Sequence, residues 1–201
     1  MMQNSAQDPL DRLIRMLARL PGLGPRSARR LALYLISDKG NRMRPLARVL
    51  SETADTITEC HICGNLDDCD PCHICRDTRR DTARICVVAH VSDLWAIERT
   101  GGHKGHYHVL GGLLSAIDGV TPDDLGLPGL IERLRHEQPR EIILALSATV
   151  DGQSTAHYIS DQLADLDITI TRLAHGMPVG GELDYLDEGT IMTALKARGG
   201  L

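Results

Sequence analysis

Cys60-His-Ile-Cys63-Gly-Asn-Leu-Asp-Asp-Cys69-Asp-Pro-Cys72-His-Ile-Cys75 holds five of the chain's six cysteines within sixteen residues. A Cys-x2-Cys turn lets two thiolates converge on one ion, and two such turns close a tetrahedral site. Cys60-x2-Cys63 and Cys72-x2-Cys75, eight residues apart, form such a pair. Cys69-x2-Cys72 has the same spacing, so Cys69 competes with Cys75 for the fourth place. The longer intervening loop favours Cys75, because it strains two facing turns less. His61 and His73 lie inside the turns and are not expected as ligands. Gly64 follows the first pair, where a knuckle benefits from positive φ. Four thiolates with no open position imply structural zinc, one ion per chain.

Disulfides are the competing use of cysteine, and they persist in oxidising compartments. The stretch Met1–Leu10 is polar and lacks the apolar core of a secretory signal. No run approaches the ~20 apolar residues that span a bilayer. A soluble, cytoplasmic protein with reduced thiols and no membrane partner is therefore expected. With 201 residues, 42% hydrophobic and 24% charged, the chain falls in the globular range and is neither disordered nor fibrous.

Upstream of the cysteines the charge changes sign. The chain carries −5 overall, yet residues 1–50 hold ten Lys/Arg against three acids. Such a split between parts of one chain points to a polyanionic partner for the basic part. Leu10, Leu13, Ile14, Leu17 and Leu20 repeat at helical spacing, as do Ala28, Leu31, Ala32 and Leu35; a third helix is expected from Pro45 to Ile57. Between the first two lies Leu20-Pro-Gly-Leu-Gly-Pro-Arg-Ser-Ala28. Gly22 and Gly24 make a tight turn that lets backbone approach a partner, and Pro25 suits a helix's first turn. The free N–H groups of that helix end form a phosphate seat, with Arg26 and Arg30 four apart on one face. A helix-hairpin-helix holds DNA in this way, through phosphates and with little sequence readout. It is not a nucleotide-binding P-loop, since no Gly-Lys-Ser/Thr follows the glycines.

Downstream, the pattern alternates between short strands and helices. Strands are expected at 85–89, 107–110, 141–146 and 168–172, with helices near 92–100, 128–137 and 154–166. This alternation implies a small α/β domain with a mostly parallel sheet. Cys86 falls in an apolar strand and reads as a packing residue. Gly152-Gln-Ser154-Thr-Ala approaches a nucleophile elbow but lacks the last glycine, so Ser154 is expected to cap a helix. His103, His106 and His108 beside Gly101-Gly102 read as exposed loop residues. Trp95 and four tyrosines are too few and too scattered for a base-stacking platform.

Taken in order, the hairpin, the cysteine knuckle, Ile85-Cys-Val-Val, Tyr107-His-Val-Leu-Gly-Gly and Ala174-His-Gly-Met-Pro-Val-Gly-Gly-Glu-Leu183 resemble the RecR family of bacterial recombination mediators over nearly the whole chain. The resemblance implies an α+β chain in four parts. These are a helix-hairpin-helix DNA-binding region (1–58), a four-cysteine zinc knuckle (59–78), a Toprim-like α/β domain (79–174), and a C-terminal loop and helix serving oligomerisation (175–201). Toprim is the fold shared with topoisomerases and primases. The resemblance also implies a non-enzymatic DNA clamp, a ring-like homo-oligomer, often a tetramer. It would act with RecO and RecF to load recombinase at single-stranded gaps, on duplex DNA and its junctions with single strands. Its site residues would be Arg26, Arg30, Gly22 and Gly24 for DNA and Cys60, Cys63, Cys72 and Cys75 for zinc, which resolves the competition from Cys69.

One departure bears on chemistry. Strand-cutting Toprim enzymes cluster carboxylates around Mg²⁺ beside a phosphate. The position where the resemblance implies glutamate is Ala89, followed by His90, and the Asp-x-Asp position reads Asp151-Gly-Gln153. Asp93 and Asp151 remain, which make a poor two-metal site. The alternative to a clamp is a Mg²⁺-dependent Toprim nuclease or strand-transfer enzyme using those two acids.

Overall fold

The computed structural model describes residues 8–174, 180 and 182–196. The chain divides into two compact units, Met1–Ile57 and Thr58–Leu201.

The first unit is helical. Helix α1 (Pro9–Leu17) starts where the Asp8 side chain accepts the Leu10 N–H at 2.9 Å, with proline in its first turn. It ends three residues short of the apolar pattern, because Leu20-Pro-Gly closes a separate turn in which the Leu20 carbonyl accepts from Leu23 at 3.1 Å. Helix α2 (Pro25–Ile36) packs against α1 and buries Ala28, Ala32 and Leu35, three of the four residues of its expected inner face. A π-helical turn over Lys39–Met43, capped by Asp38, leads into α3 (Arg44–Thr56), which buries no residue.

The second unit opens with a hairpin of β1 (Thr58–Glu59) and β2 (Leu66–Asp67), then a single helical turn, α4 (His73–Arg76). The main sheet comprises β3 (Asp81–Val88), β4 (Gly105–Val109), β5 (Glu141–Ala145) and β6 (Thr169–Arg172), all parallel, in the order β4-β3-β5-β6. Helices α5 (Val91–Thr100), α6 (Leu127–Glu137) and α7 (Val150–Gln162) connect them. Both faces of the sheet are covered, as a parallel sheet requires. Ile85 and Val87 point with Ile142 and Leu144 into the layer formed by Leu130, Leu134, Ile159 and Leu163 of α6, α7 and the segment after it. Cys86 and Val88 point the other way, toward Leu94 of α5 and Tyr107. Cys86 is a packing residue, its thiol pushed up to about 12 by burial. The last described helix is α8 (Glu188–Lys196).

Several local expectations are corrected. Strand β3 begins four residues early, because the charged run Asp81–Arg84 pairs internally (Arg84 Nε to Asp81 Oδ2, 2.8 Å) and reaches β4 through an irregular register. Ser154 does not cap α7. Thr149 does, accepting the Gly152 N–H at 3.2 Å, and the helix runs on through Gly152. Gly152 answers a close approach: a Cβ there would collide with the Ser147 carbonyl oxygen. The three histidines are not exposed loop residues. His103 is half-buried edge-on to Tyr107, His106 and His108 lie in β4, and buried His108 donates through Nε2 to the Gly126 carbonyl at 3.1 Å. His108 falls inside the strand expected at 107–110; what the expectation missed is that this part of the strand is buried. Most of the loop His175–Gly181 lies outside the described residues.

Candidate metal centre and nucleic-acid interface

The sulfurs of Cys60, Cys63, Cys72 and Cys75 all lie within 4.8 Å of one another. Cys63 and Cys72 are 3.6 Å apart, against about 3.8 Å for the edge of a tetrahedron with zinc–sulfur bonds of about 2.3 Å. Gly64 takes φ +73° as the first knuckle turns. Backbone N–H groups of Cys72 and Cys75 point at the sulfurs of Cys60 and Cys72, both at 3.4 Å. The protein alone cannot keep four thiolates together. A hydrogen bond from Cys75 pulls the Cys63 thiol down to about 6, while burial and then the Cys63 charge push Cys72 up to about 11, and Cys75 rises further. A divalent cation removes that mutual repulsion, so this donor set fits Zn²⁺ with no open position.

The knuckle is fastened to the α/β layer. The Cys63 carbonyl accepts from the Val109 N–H at 2.8 Å, and Trp95 Nε1 donates to Asn65 at 3.0 Å. Arg133 of α6, its side chain 8% exposed, donates to the carbonyls of Tyr107 (2.8 Å) and Ile62 (3.3 Å) and pairs with Glu137. These docking residues were not legible in the sequence, since Ile62 and Arg133 are 71 positions apart.

In the helical unit, Gly22 takes φ +76°, which no residue with a Cβ adopts readily. Gly24 caps α2 with no side-chain bond, and no atom lies within 4 Å of where a Cβ would stand at either glycine. Arg26, Arg29 and Arg30 are exposed, and their side chains make no ion pair among the described residues. Arg42 is turned inward, stacked 4.1 Å from the Tyr34 ring centroid and bonded to Ser37.

Known families match each of these parts. A model described as "RecR, helix-hairpin-helix" matches residues 10–54, one for the RecR four-cysteine zinc finger domain matches residues 57–77, "Toprim domain" matches residues 83–174, and "RecR, C-terminal" matches residues 176–198. The chain is 59% identical to recombination protein RecR of Methylocella silvestris over 189 residues, 94% of each chain. It is 57% identical to that of Brucella canis over 198 residues, 98% of each, and 58% identical to that of Rhizobium etli over 189 residues, 94% of each. The chain belongs to the RecR family.

As a RecR-family protein it carries a four-cysteine zinc finger, and the cofactor is structural zinc. The expected α+β assembly of helix-hairpin-helix, zinc finger and Toprim domain stands, with a main sheet that is wholly parallel among the described strands. No helix among the described residues is long and apolar enough to cross a membrane.

The Toprim corner differs from the metal centre in kind. The chain leaves β3 for β4 at one edge and returns across it to β5, which places a topological switch at the C-terminal ends of β3 and β5. A cleft of about 500 Å³ opens there, lined by Ala89, His90, Asp93, Ile97, Ala145 and Ser147. Ala89 is buried, and Asp93 accepts the His90 N–H at 2.9 Å as the cap of α5. Asp151 sits in the first turn of α7 and does not line the cleft. Among the described residues, neither acid joins a group of three or more metal-ligating side chains.

Proposed function

We propose that this protein is a DNA-binding clamp and adaptor of recombinational repair, cytoplasmic and without catalytic activity of its own. It would act with RecO and RecF to load recombinase at single-stranded gaps. The observation that carries the reading is the hairpin: a helix start left open by Gly22 and Gly24, with exposed, unpaired Arg26 and Arg30 on the helix that follows. Phosphates are the ligands such a surface takes, so binding is independent of sequence on duplex DNA and on its junctions with single strands. Zinc at Cys60, Cys63, Cys72 and Cys75 holds the knuckle and takes no part in chemistry.

We take the assembly to be a homo-oligomer, a tetramer as the family resemblance implies; self-association is supported by what the helical unit leaves uncovered. Leu33 and Tyr34 of α2 and Leu46, Val49 and Leu50 of α3 are all exposed. The division 1–58, 59–78, 79–174 and 175–201 assigns DNA, zinc, the Toprim layer and subunit contacts in turn.

The test is one native gel of the protein with end-labelled gapped DNA and Mg²⁺, followed by denaturation of the same samples. Shifted but intact strands are expected. Shortened strands would overturn the clamp in favour of a nuclease using Asp93 and Asp151.

A further inference from the structure

Three side chains of the loop between the two knuckles, with one histidine inside the second knuckle, take no part in the zinc site. Asp67, Asp68, Cys69 and His73 bring one ligand atom each to within 4.8 Å of one another. His73 Nδ1 is the hub: it lies 3.0 Å from Asp67 Oδ1, 3.7 Å from Asp68 Oδ1 and 3.5 Å from Cys69 Sγ. A nitrogen carrying at most one proton satisfies one of these acceptors and leaves the others facing each other.

We propose that this cluster is a second metal site, for a borderline transition-metal dication such as Zn²⁺ or Co²⁺, on the exposed rim of the zinc finger. The three distances from His73 lie within about 0.4 Å of those of tetrahedral coordination. Metal–nitrogen and metal–oxygen bonds of about 2.1 Å and a metal–sulfur bond of about 2.3 Å give edges of about 3.4 Å for N···O and about 3.6 Å for N···S. One imidazole, one thiolate and two carboxylates suit zinc or cobalt, whereas Mg²⁺ and Ca²⁺ take oxygen donors throughout.

Charge and preorganisation agree with the geometry. Two carboxylates, a thiolate and a dication sum to a single negative charge, and the Arg76 guanidinium, 2.6 Å from Cys69 Sγ, balances it from outside. Asp67 is already oriented, since its carboxylate accepts the backbone N–H of His73 at 2.8 Å and of Asp68 at 2.9 Å. The loop's two ends are tied down at Cys63 and Cys72. The inference rests on the four-cysteine reading for that anchoring, and metal counting separates the two.

The full-length protein, saturated with Zn²⁺ and dialysed against a weak chelator, is expected to retain one equivalent. Co²⁺ added afterwards should bind a second, with the charge-transfer band of a single thiolate. Cys69→Ser should abolish that band while the first equivalent stays, and His73→Gln should weaken cobalt binding by about tenfold or more. Asp67→Asn provides an independent third arm with the same direction. A wild type that takes up no cobalt beyond the retained zinc overturns the second site, as does a thiolate band that survives Cys69→Ser. Retention of no zinc at all would instead overturn the four-cysteine centre.

Discussion

The two units meet the same requirement, apolar cover, in opposite ways. Thr58–Leu201 sandwiches a parallel sheet between helices, and the largest fully buried side chains of the described chain, from Tyr107 to Leu163, all lie in it. In Met1–Ile57 only Ala28, Ala32 and Leu35 are buried among the described residues, while α3 buries nothing. The second unit is self-sufficient, with metal and polar clamps added to a filled core. The first carries most of its free positive charge and its apolar stripes on the outside, as a part made to be completed by something else does.

The sharpest way to break this contrast is to remove the metal. Cys60→Ser should lose zinc and unfold the knuckle, since structural zinc supplies about 10 kcal/mol or more in isolated fingers. A variant that melts like the wild type, followed by calorimetry with metal analysis, would show that the knuckle stands without zinc. A core truncation separates the units next. Leu130→Ala, at a fully buried position, should cost about 2–5 kcal/mol in denaturant melts at any protein concentration. Leu50→Ala, at a position 62% exposed, should be almost silent in dilute protein and should act by weakening self-association in sedimentation. Equal effects at all concentrations would erase the distinction.

The pH dependence probes the same core. Burial holds His108 down to about 4, against 6.5 when unfolded, and its Nδ1 has no partner. Above pH 6.5 both states are neutral and nothing is lost. As pH falls from 6.5 toward 4 the unfolded chain takes up a proton that the folded one refuses, and stability drops by about 3 kcal/mol. His108→Asn should flatten that slope relative to the wild type in denaturant melts across this window. The smallest effect belongs to the basic unit. Six phosphate contacts give a log–log salt slope of about −5, and Arg26→Ala with Arg30→Ala should reduce its magnitude by roughly two while leaving the melting of the second unit unchanged. An unchanged slope removes both arginines from the interface.

What could be read early was what is local. The Cys-x2-Cys turns, the tight turn at Gly22, the positive φ of Gly64, the inner face Ala28, Ala32 and Leu35, and the run Ile85–Val88 each follow from spacings of two to eight residues. The errors came where local pattern and packing disagree. Ser154 reads as a helix cap and lies inside α7, and His108 reads as an exposed loop residue and is core, because Thr149 caps the helix earlier and Gly126 at the start of α6 meets the histidine. The second ligand cluster was missed for another reason: Asp67 and His73 are only six positions apart, but its mixed donors follow no regular spacing.

The sequence by itself determined the part list, since a zinc knuckle, an amphipathic helix and a buried parallel strand are each written in residue type and short-range period. It also determined that Ala89 stands where the resemblance implies a glutamate, because residue type is a matter of identity. The tertiary structure alone decided the strand order β4-β3-β5-β6 and the clamp of Arg133 on Ile62 and Tyr107. Those depend on where distant segments come to rest, which is set by the mutual burial of whole faces and has no signature in any short stretch of chain.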